Sequence, residues 1–235
     1  MNHIASRLDN AVRALCPDIA RRVEKRSERR STEIGLWREL ACCVLSSQVS
    51  YQLALSATER LSRIGVFSRV YGNDSSSVFH QQIFEALSAP LNVEGRQIRY
   101  RFPKTKAAQL SVTRDRIKSA DIRLSTLVYC KQNDYEKRRR IMSLVCGFGP
   151  KQTSMFLRNA SSSYSLAILD RHALRFMNVV GLVSEQEITM SSTLRQYEAI
   201  EGRFDRYAVG IGYPTGYVDW AVWIVMRAFH GMGRS

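Results

Sequence analysis

Between Gly147 and Asp170 the chain reads GFGPKQTSMFLRNASSSYSLAILD, an order of residues that few folds accommodate. Glycines at 147 and 149 admit the backbone conformations of a tight hairpin and leave room for another backbone to come close. Pro150 suits the first position of a helix, where its missing N–H costs nothing. Lys151 then falls in the first turn of that helix, where free amides and the helix dipole favour an anion. Upstream, Tyr135–Val145 has helical spacing, with Ile141, Leu144 and Val145 packing and KRRR at its head. Two helices joined by a glycine hairpin are therefore expected over about residues 135–160, the second running from about Lys151 to Asn159. Asp170 follows a connector and a short apolar segment, and opens a further helix, Arg171–Val180, which Gly181 stops.

A hairpin that can hold a phosphate beside a lysine asks for a polyanionic partner, and the net charge of +14 with a pI near 10.0 is consistent with one. With 45% hydrophobic residues, a disordered basic tail does not account for that charge. A ribosomal or membrane-surface protein shares the same balance, so charge alone does not choose. Arginine greatly outnumbers lysine, which makes Lys151 one of few amines available for covalent work. A length of 235 residues allows one large domain or two small intimate ones. Five cysteines without paired spacing read as reduced thiols in a cytoplasm. No CxxC or four-cysteine cluster occurs, so no iron–sulfur cluster is expected. No signal peptide or membrane span is visible: the apolar run Val218–Phe229 is too short and contains Asp219 and Arg227.

Along the rest of the chain, Ile4–Cys16 has helical spacing that Pro17 is expected to interrupt. Arg21–Arg30 is a charge run that fits a solvated helix face as well as a DNA contact. Trp37–Leu45 reads as an apolar core helix ending in SSQVS, and a second helix starts at Tyr51. Tyr71–Ser77 is a polar loop and Val78–Leu87 a short helix. Pro90–Arg101 is expected to be irregular and basic, with IRYRF briefly extended. Pro103 opens a helix over Lys104–Ser119 whose basic face could track phosphate, most of its charges being solvated. The C-terminal third reads as two helices, an amphipathic Leu194–Val209 and a mainly apolar YVDWAVWIVMRAF. There is no internal repeat, low-complexity segment or β-rich stretch.

GFGPK followed by FLRN and LAILDRH resembles the helix-hairpin-helix DNA glycosylases, most closely the archaeal and bacterial type-2 8-oxoguanine DNA glycosylases. The offset of nineteen positions from Lys151 to Asp170 matches the lysine-to-aspartate spacing of that family. The segments ACCVLSSQVSYQLALSATERL and GRQIRYRFPKTKAAQL are similar too, and the likeness covers roughly residues 35 to 225. It implies an all-α, two-lobed helix-hairpin-helix DNA glycosylase fold of roughly ten helices over residues 1–235. The N- and C-terminal segments would share one lobe, with the hairpin and Asp170 at the mouth of a cleft. It implies Lys151 and Asp170 as catalytic residues, and Gly147, Gly149, Gln48 and His172 as DNA-binding ones. Gln48 would fill the gap left by a flipped nucleotide; a glutamine satisfying a helix end is the plainer alternative. His172 matches a histidine near the DNA backbone, and a capping histidine fits equally well. Asp219 and Trp223 resemble a segment near the base pocket, although tryptophans on such a helix are more often core. Two departures stand out: Thr153 replaces the usual alanine, and MRAFHGMGRS lacks the short lysine-ended tail that helps the family recognise 8-oxoguanine.

The resemblance implies a mechanism with no metal and no cofactor. Cleavage of an N-glycosidic bond builds positive charge on the sugar, which the Asp170 carboxylate would stabilise while orienting the nucleophile. Attack at C1′ by the neutral Lys151 amine would give a Schiff base and permit β-elimination of the 3′ phosphate. The expected activity is a DNA glycosylase/lyase that flips and excises 8-oxoguanine from double-stranded DNA in base excision repair. It would act as a monomer in the cytoplasm, associated with the nucleoid and with no membrane. The alternatives are the same chemistry on another modified base, including bulky bases of phage DNA, and a non-catalytic DNA-binding module.

Overall fold

The helical periodicities resolve into twelve α-helices among the residues described, 3–25, 30–190 and 193–232, in a computed structural model. Helix α1 (His3–Glu24) passes straight through Pro17, contrary to the break expected there. Proline removes one backbone donor, at about 3 kcal/mol. Against that, α1 buries Leu8, Val12 and Ile19 along one face, worth about 1.5–3 kcal/mol each. Burial wins, and the helix continues. Part of the RRVEKRSERR run and the end of the MRAFHGMGRS tail lie outside the described residues.

Next come α2 (Glu33–Leu45) and α3 (Tyr51–Arg63), capped by the side chains of Thr32 and Ser50. A 3₁₀ turn (Phe67–Arg69) leads to α4 (Ser76–Ser88), capped by Ser75. Pro90–Arg101 is more regular than expected. It forms an antiparallel hairpin of β1 (Leu91–Val93) and β2 (Arg96–Ile98), with Asn92 opposite Gln97. Glu94 and Gly95 both take positive φ, 50° and 82°, the geometry that a two-residue hairpin loop requires.

The chain continues through α5 (Pro103–Ser119), α6 (Leu124–Tyr129), α7 (Asp134–Leu144) and α8 (Pro150–Ser161). After these come α9 (Arg171–Val179), α10 (Glu185–Met190), α11 (Leu194–Ile211) and α12 (Thr215–Met232). The chain divides into two compact units, Arg30–Ser161 and Met1–Arg29 with Ser162–Ser235.

In the unit Arg30–Ser161, α2 is the central helix, buried continuously from Leu40 to Leu45 and packed by α3, α5, α6 and α8. The basic face expected on α5 is partly inward. Arg114 is 1% exposed and donates to the carbonyls of Val70, Gly72 and Asp74, with Phe79 under its guanidinium. A buried cation is tolerable when carbonyl oxygens surround it. The other unit packs Val12 of α1, Phe176 of α9, Phe204 of α11 and Val222 of α12 around one core.

Candidate active site

The expected helix–hairpin–helix is α7, the turn Val145–Gly149 and α8. Asn133 caps α7 by accepting from Glu136 N–H, and Asp134 and Glu136 occupy its first turn, where the dipole favours acids. Gly147 stands at φ +81°, in the left-handed region. A Cβ there would lie 2.5 Å from Gln109 Cδ, and Lys106 Nζ holds Gln109 at 3.0 Å. The left-handed backbone therefore requires glycine, and a Cβ would in addition have to push aside the amide end of the Gln109 side chain. Burial lowers the Lys106 pKa from its ordinary value. Gly149 does not use the left-handed region; its surroundings are merely close, with Gln152 Oε1 3.3 Å from where a Cβ would stand.

Packing finishes the turn. Cys146 N–H donates to Thr113 Oγ1 at 2.9 Å, and the buried Phe148 lies against Phe156. Thr153, where alanine is usual, is buried and donates its hydroxyl back to Gly149 O at 3.0 Å. The extra hydroxyl is satisfied inside the helix and leaves the hairpin in place.

Lys151 sits half-buried in the first turn of α8, and among the described residues its ammonium makes no hydrogen bond or ion pair. Helix α8 packs on α2, which brings Lys151 into the field of Cys43. Burial pushes the Cys43 thiol well above its usual range, Glu39 pushes the same way, and the Lys151 cation opposes both. Glu39 also joins the two helices directly, accepting from Asn159 Nδ2 at 2.7 Å.

Gln48 lies on the turn between α2 and α3 in the same unit, exposed and at φ +65°. A non-glycine residue in that region costs about 1–2 kcal/mol. The turn is pinned on each side: Tyr100 donates its hydroxyl to Leu45 O at 2.6 Å, and Ser50 accepts from Leu53 N–H. Its tip thus presents the Gln48 side chain outward from a strained, well-supported turn. No hydrogen bond to a helix end is made by that side chain among the described residues.

Asp170 belongs to the other unit and is half-buried at the N-cap of α9. Oδ1 accepts from both His172 N–H (2.8 Å) and Ala173 N–H (2.9 Å). Both capping bonds fall on one oxygen, so capping and a second task for Oδ2 are compatible. His172, in the first turn, is half-buried, and Arg171 Nε lies 3.5 Å from its Nε2.

The segment before Asp170 belongs to no helix or strand, and side chains take its amides in turn. Ala167 N–H donates to Glu201 Oε1 at 3.0 Å, Ile168 N–H to Asp219 Oδ2 at 2.6 Å, and Leu169 N–H to the Tyr197 hydroxyl at 3.1 Å. Tyr197 donates onward to Ala167 O at 3.1 Å. Asp219 is 4% exposed and joined to this segment, whereas Trp223, a turn further along α12, is exposed beneath Arg227 and is not core. Tyr197 and Glu201 went unremarked in the sequence, because a mixed-charge amphipathic helix gives no sign that one of its glutamates is buried. Among the described residues, no group of three or more His, Cys, Asp or Glu side chains is placed to hold a metal ion. All five cysteines are free thiols.

Comparison with known proteins finds a family model described as 8-oxoguanine DNA glycosylase matching residues 19–213. A relative from Metallosphaera sedula named 8-oxoguanine DNA glycosylase/AP lyase is 29% identical over 206 residues, covering 87% of this chain and 89% of its own. One of the same name from Thermotoga petrophila is 26% identical over 229 residues, covering 97% and 98%. Among solved structures, the 8-oxoguanine DNA glycosylase of Thermotoga maritima superposes with a TM-score of 0.67 at 26% identity, covering 94% of each chain. A Methanocaldococcus jannaschii 8-oxoguanine glycosylase/lyase, solved with a 15mer DNA containing 8-oxoguanine, superposes at 0.68 with 20% identity, covering 92% of this chain and 95% of that one; it supports the fold.

Proposed function

The chain belongs to the 8-oxoguanine DNA glycosylase family, and from that premise we propose that it excises 8-oxoguanine from duplex DNA and cleaves the resulting abasic strand. The single observation that carries the reading is the helix–hairpin–helix turn that leaves Lys151 at the head of α8 with its amine unengaged among the described residues.

In this reading the target nucleotide leaves the stack and Gln48 occupies the space it vacates, which offsets part of the few kcal/mol lost in stacking and pairing. The hairpin amides around Gly147 and Gly149 hold the backbone phosphate at the start of α8. The neutral Lys151 amine attacks C1′ as the N-glycosidic bond breaks, and the proton its nitrogen then sheds goes to the departing base; the Asp170 carboxylate stabilises the positive charge that the sugar gains. The ring-opened Schiff base then loses a C2′ proton as the 3′ phosphate departs, leaving a cut strand. The substrate is the double helix, attracted by the +14 charge, with the protein acting as a monomer on nucleoid DNA in the cytoplasm. No helix among the described residues is long and apolar enough to cross a membrane.

A panel of single-lesion duplexes, with bulky modified phage DNA included, tests the proposal. Wild-type protein is expected to release 8-oxoguanine and to be captured on that duplex by borohydride, and Lys151→Gln is expected not to be captured. Equal capture of the two proteins would assign the chemistry to another amine. Release from a different duplex in place of the 8-oxoguanine one would move the substrate to that base.

A further inference from the structure

We propose that Tyr197, Glu201 and Asp219 form a clamp that positions the Asp170 carboxylate for base release, an inference that rests on the glycosylase reading above. Three consecutive amides, those of Ala167, Ile168 and Leu169, are each taken by a different buried side chain. Regular structure would have satisfied them with backbone partners; here side chains take that place, and the segment keeps its path through them.

The arrangement fixes the segment in more than one direction. Tyr197 and Glu201 stand four residues apart on one face of α11, and Asp219 reaches in from α12. The Tyr197 hydroxyl accepts from Leu169 and donates to Ala167, bridging residues two apart and holding the local register. Asp170 N–H then turns back to Ile168 O at 2.7 Å, and the Asp170 side chain caps α9. Further upstream, Gly216 N–H donates to Tyr164 O, and Tyr164 packs edge-on to Tyr217 at 4.9 Å, so α12 also holds the start of this stretch. The carboxylate is thereby held from both sides, by the clamp before it and by its own cap after it.

Three buried polar side chains are an expensive way to support four residues, since each loses water on burial. An apolar core would have supported a loop whose position mattered little. Position does matter for a charge aimed at a developing cation, because a misplacement of about 1 Å lowers rate by about 10²-fold. Tyr197, Glu201 and Asp219 are accordingly positioning residues that act through Asp170.

The test combines exchange and single-turnover kinetics on the full chain. Tyr197→Phe removes only a hydroxyl; amide exchange at Leu169 is expected to accelerate about tenfold while the Val222 amide in α12 is unchanged. Base release from the 8-oxoguanine duplex is expected to fall about 10- to 100-fold with duplex affinity unaltered. Tyr197→Phe combined with Asp170→Asn should be as slow as Asp170→Asn alone, because both act on one group. Glu201→Leu should lose rate similarly, and Glu201→Gln, which keeps an acceptor for Ala167 N–H, should recover most of it. Losses that multiply in the double variant, or a glutamine variant as slow as the leucine one, would show a general structural role and overturn the clamp. Unchanged Leu169 exchange would overturn it too. A wild type that releases no base from any duplex removes the glycosylase reading and the positioning role with it, while exchange still reports whether the clamp holds the segment.

Discussion

Replacing Asp170 with asparagine separates the cap that its side chain forms from the catalytic task proposed for it. As an N-cap, Asp170 accepts from two amides through Oδ1 alone, at 2.8 and 2.9 Å. Asparagine keeps a carbonyl oxygen in that place and ranks with aspartate as a cap. The folded state then loses only the interaction of the negative charge with the helix dipole, about 0.3–1 kcal/mol. Alanine loses the cap as well, a further loss of about 0.5–2 kcal/mol. Catalysis should respond in a different proportion. Removing one preorganised group aimed at transition-state charge costs about 10²–10³ in rate, roughly 3–4 kcal/mol of barrier. Asp170→Asn is therefore expected to unfold in urea close to wild type, to bind duplex at least as tightly, and to release base at least about a hundredfold more slowly. Asp170→Ala should be as slow and measurably less stable. Single-turnover release from an 8-oxoguanine duplex, run beside urea unfolding of all three proteins, gives both numbers. Asparagine releasing base at the wild-type rate would refute the reasoning, as would rate losses that merely track the losses in stability.

Gln48→Ala is expected to slow release from a matched duplex and to have much less effect when the target is mismatched or single-stranded, where little stacking has to be replaced; equal losses on all three substrates would exclude a wedge. Gln48→Gly removes the same side chain but suits φ +65°, so its urea midpoint should lie at or above that of Gln48→Ala. Gly147→Ala should destabilise by about 1–2 kcal/mol from backbone conformation alone, and adding Gln109→Ala should recover the part due to collision, a double-variant cycle that unfolding can read. Burial pushes the Cys42 thiol up to about 11, so the folded protein holds a proton that the unfolded chain releases near pH 9. Stability is then complete below that pH and falls as pH rises from about 9 towards 11. The urea midpoint should drop between pH 8 and pH 10.5, and drop less in Cys42→Ala.

The hairpin was legible because its determinants are local. Gly147 and Pro150 impose backbone conditions that hold whatever surrounds them, and Lys151 and Asp170 are fixed relative to α8 and α9 by the helix starts they occupy. Most helices were legible for the same reason, since apolar spacing states which face is buried without saying against what. Gln48 could be named from the likeness of its segment to the family, but its positive φ and its exposure, on a turn that Tyr100 anchors at Leu45 fifty-five residues away, belong to the tertiary structure.

Where sequence reading failed, a distant partner had reversed a local preference. Pro17 should end a helix, and the buried face of α1 carries the helix past it. The basic face of α5 read as mostly solvated charge, yet Gln109 and three loop carbonyls hold Lys106 and Arg114 inside. Glu94 is not a residue that announces a two-residue turn, so β1 and β2 were missed. Sequence alone thus nominated the residues proposed to carry the chemistry and determined which backbone shapes they need. Tertiary structure decided how those residues are held: the Gln109 amide set against Gly147, and the side chains of Tyr197, Glu201 and Asp219 that take the amides before Asp170. The physical reason is that backbone restrictions act between neighbours in sequence, whereas a buried hydrogen bond depends on which side chain the packing brings within about 3 Å of an otherwise unsatisfied amide.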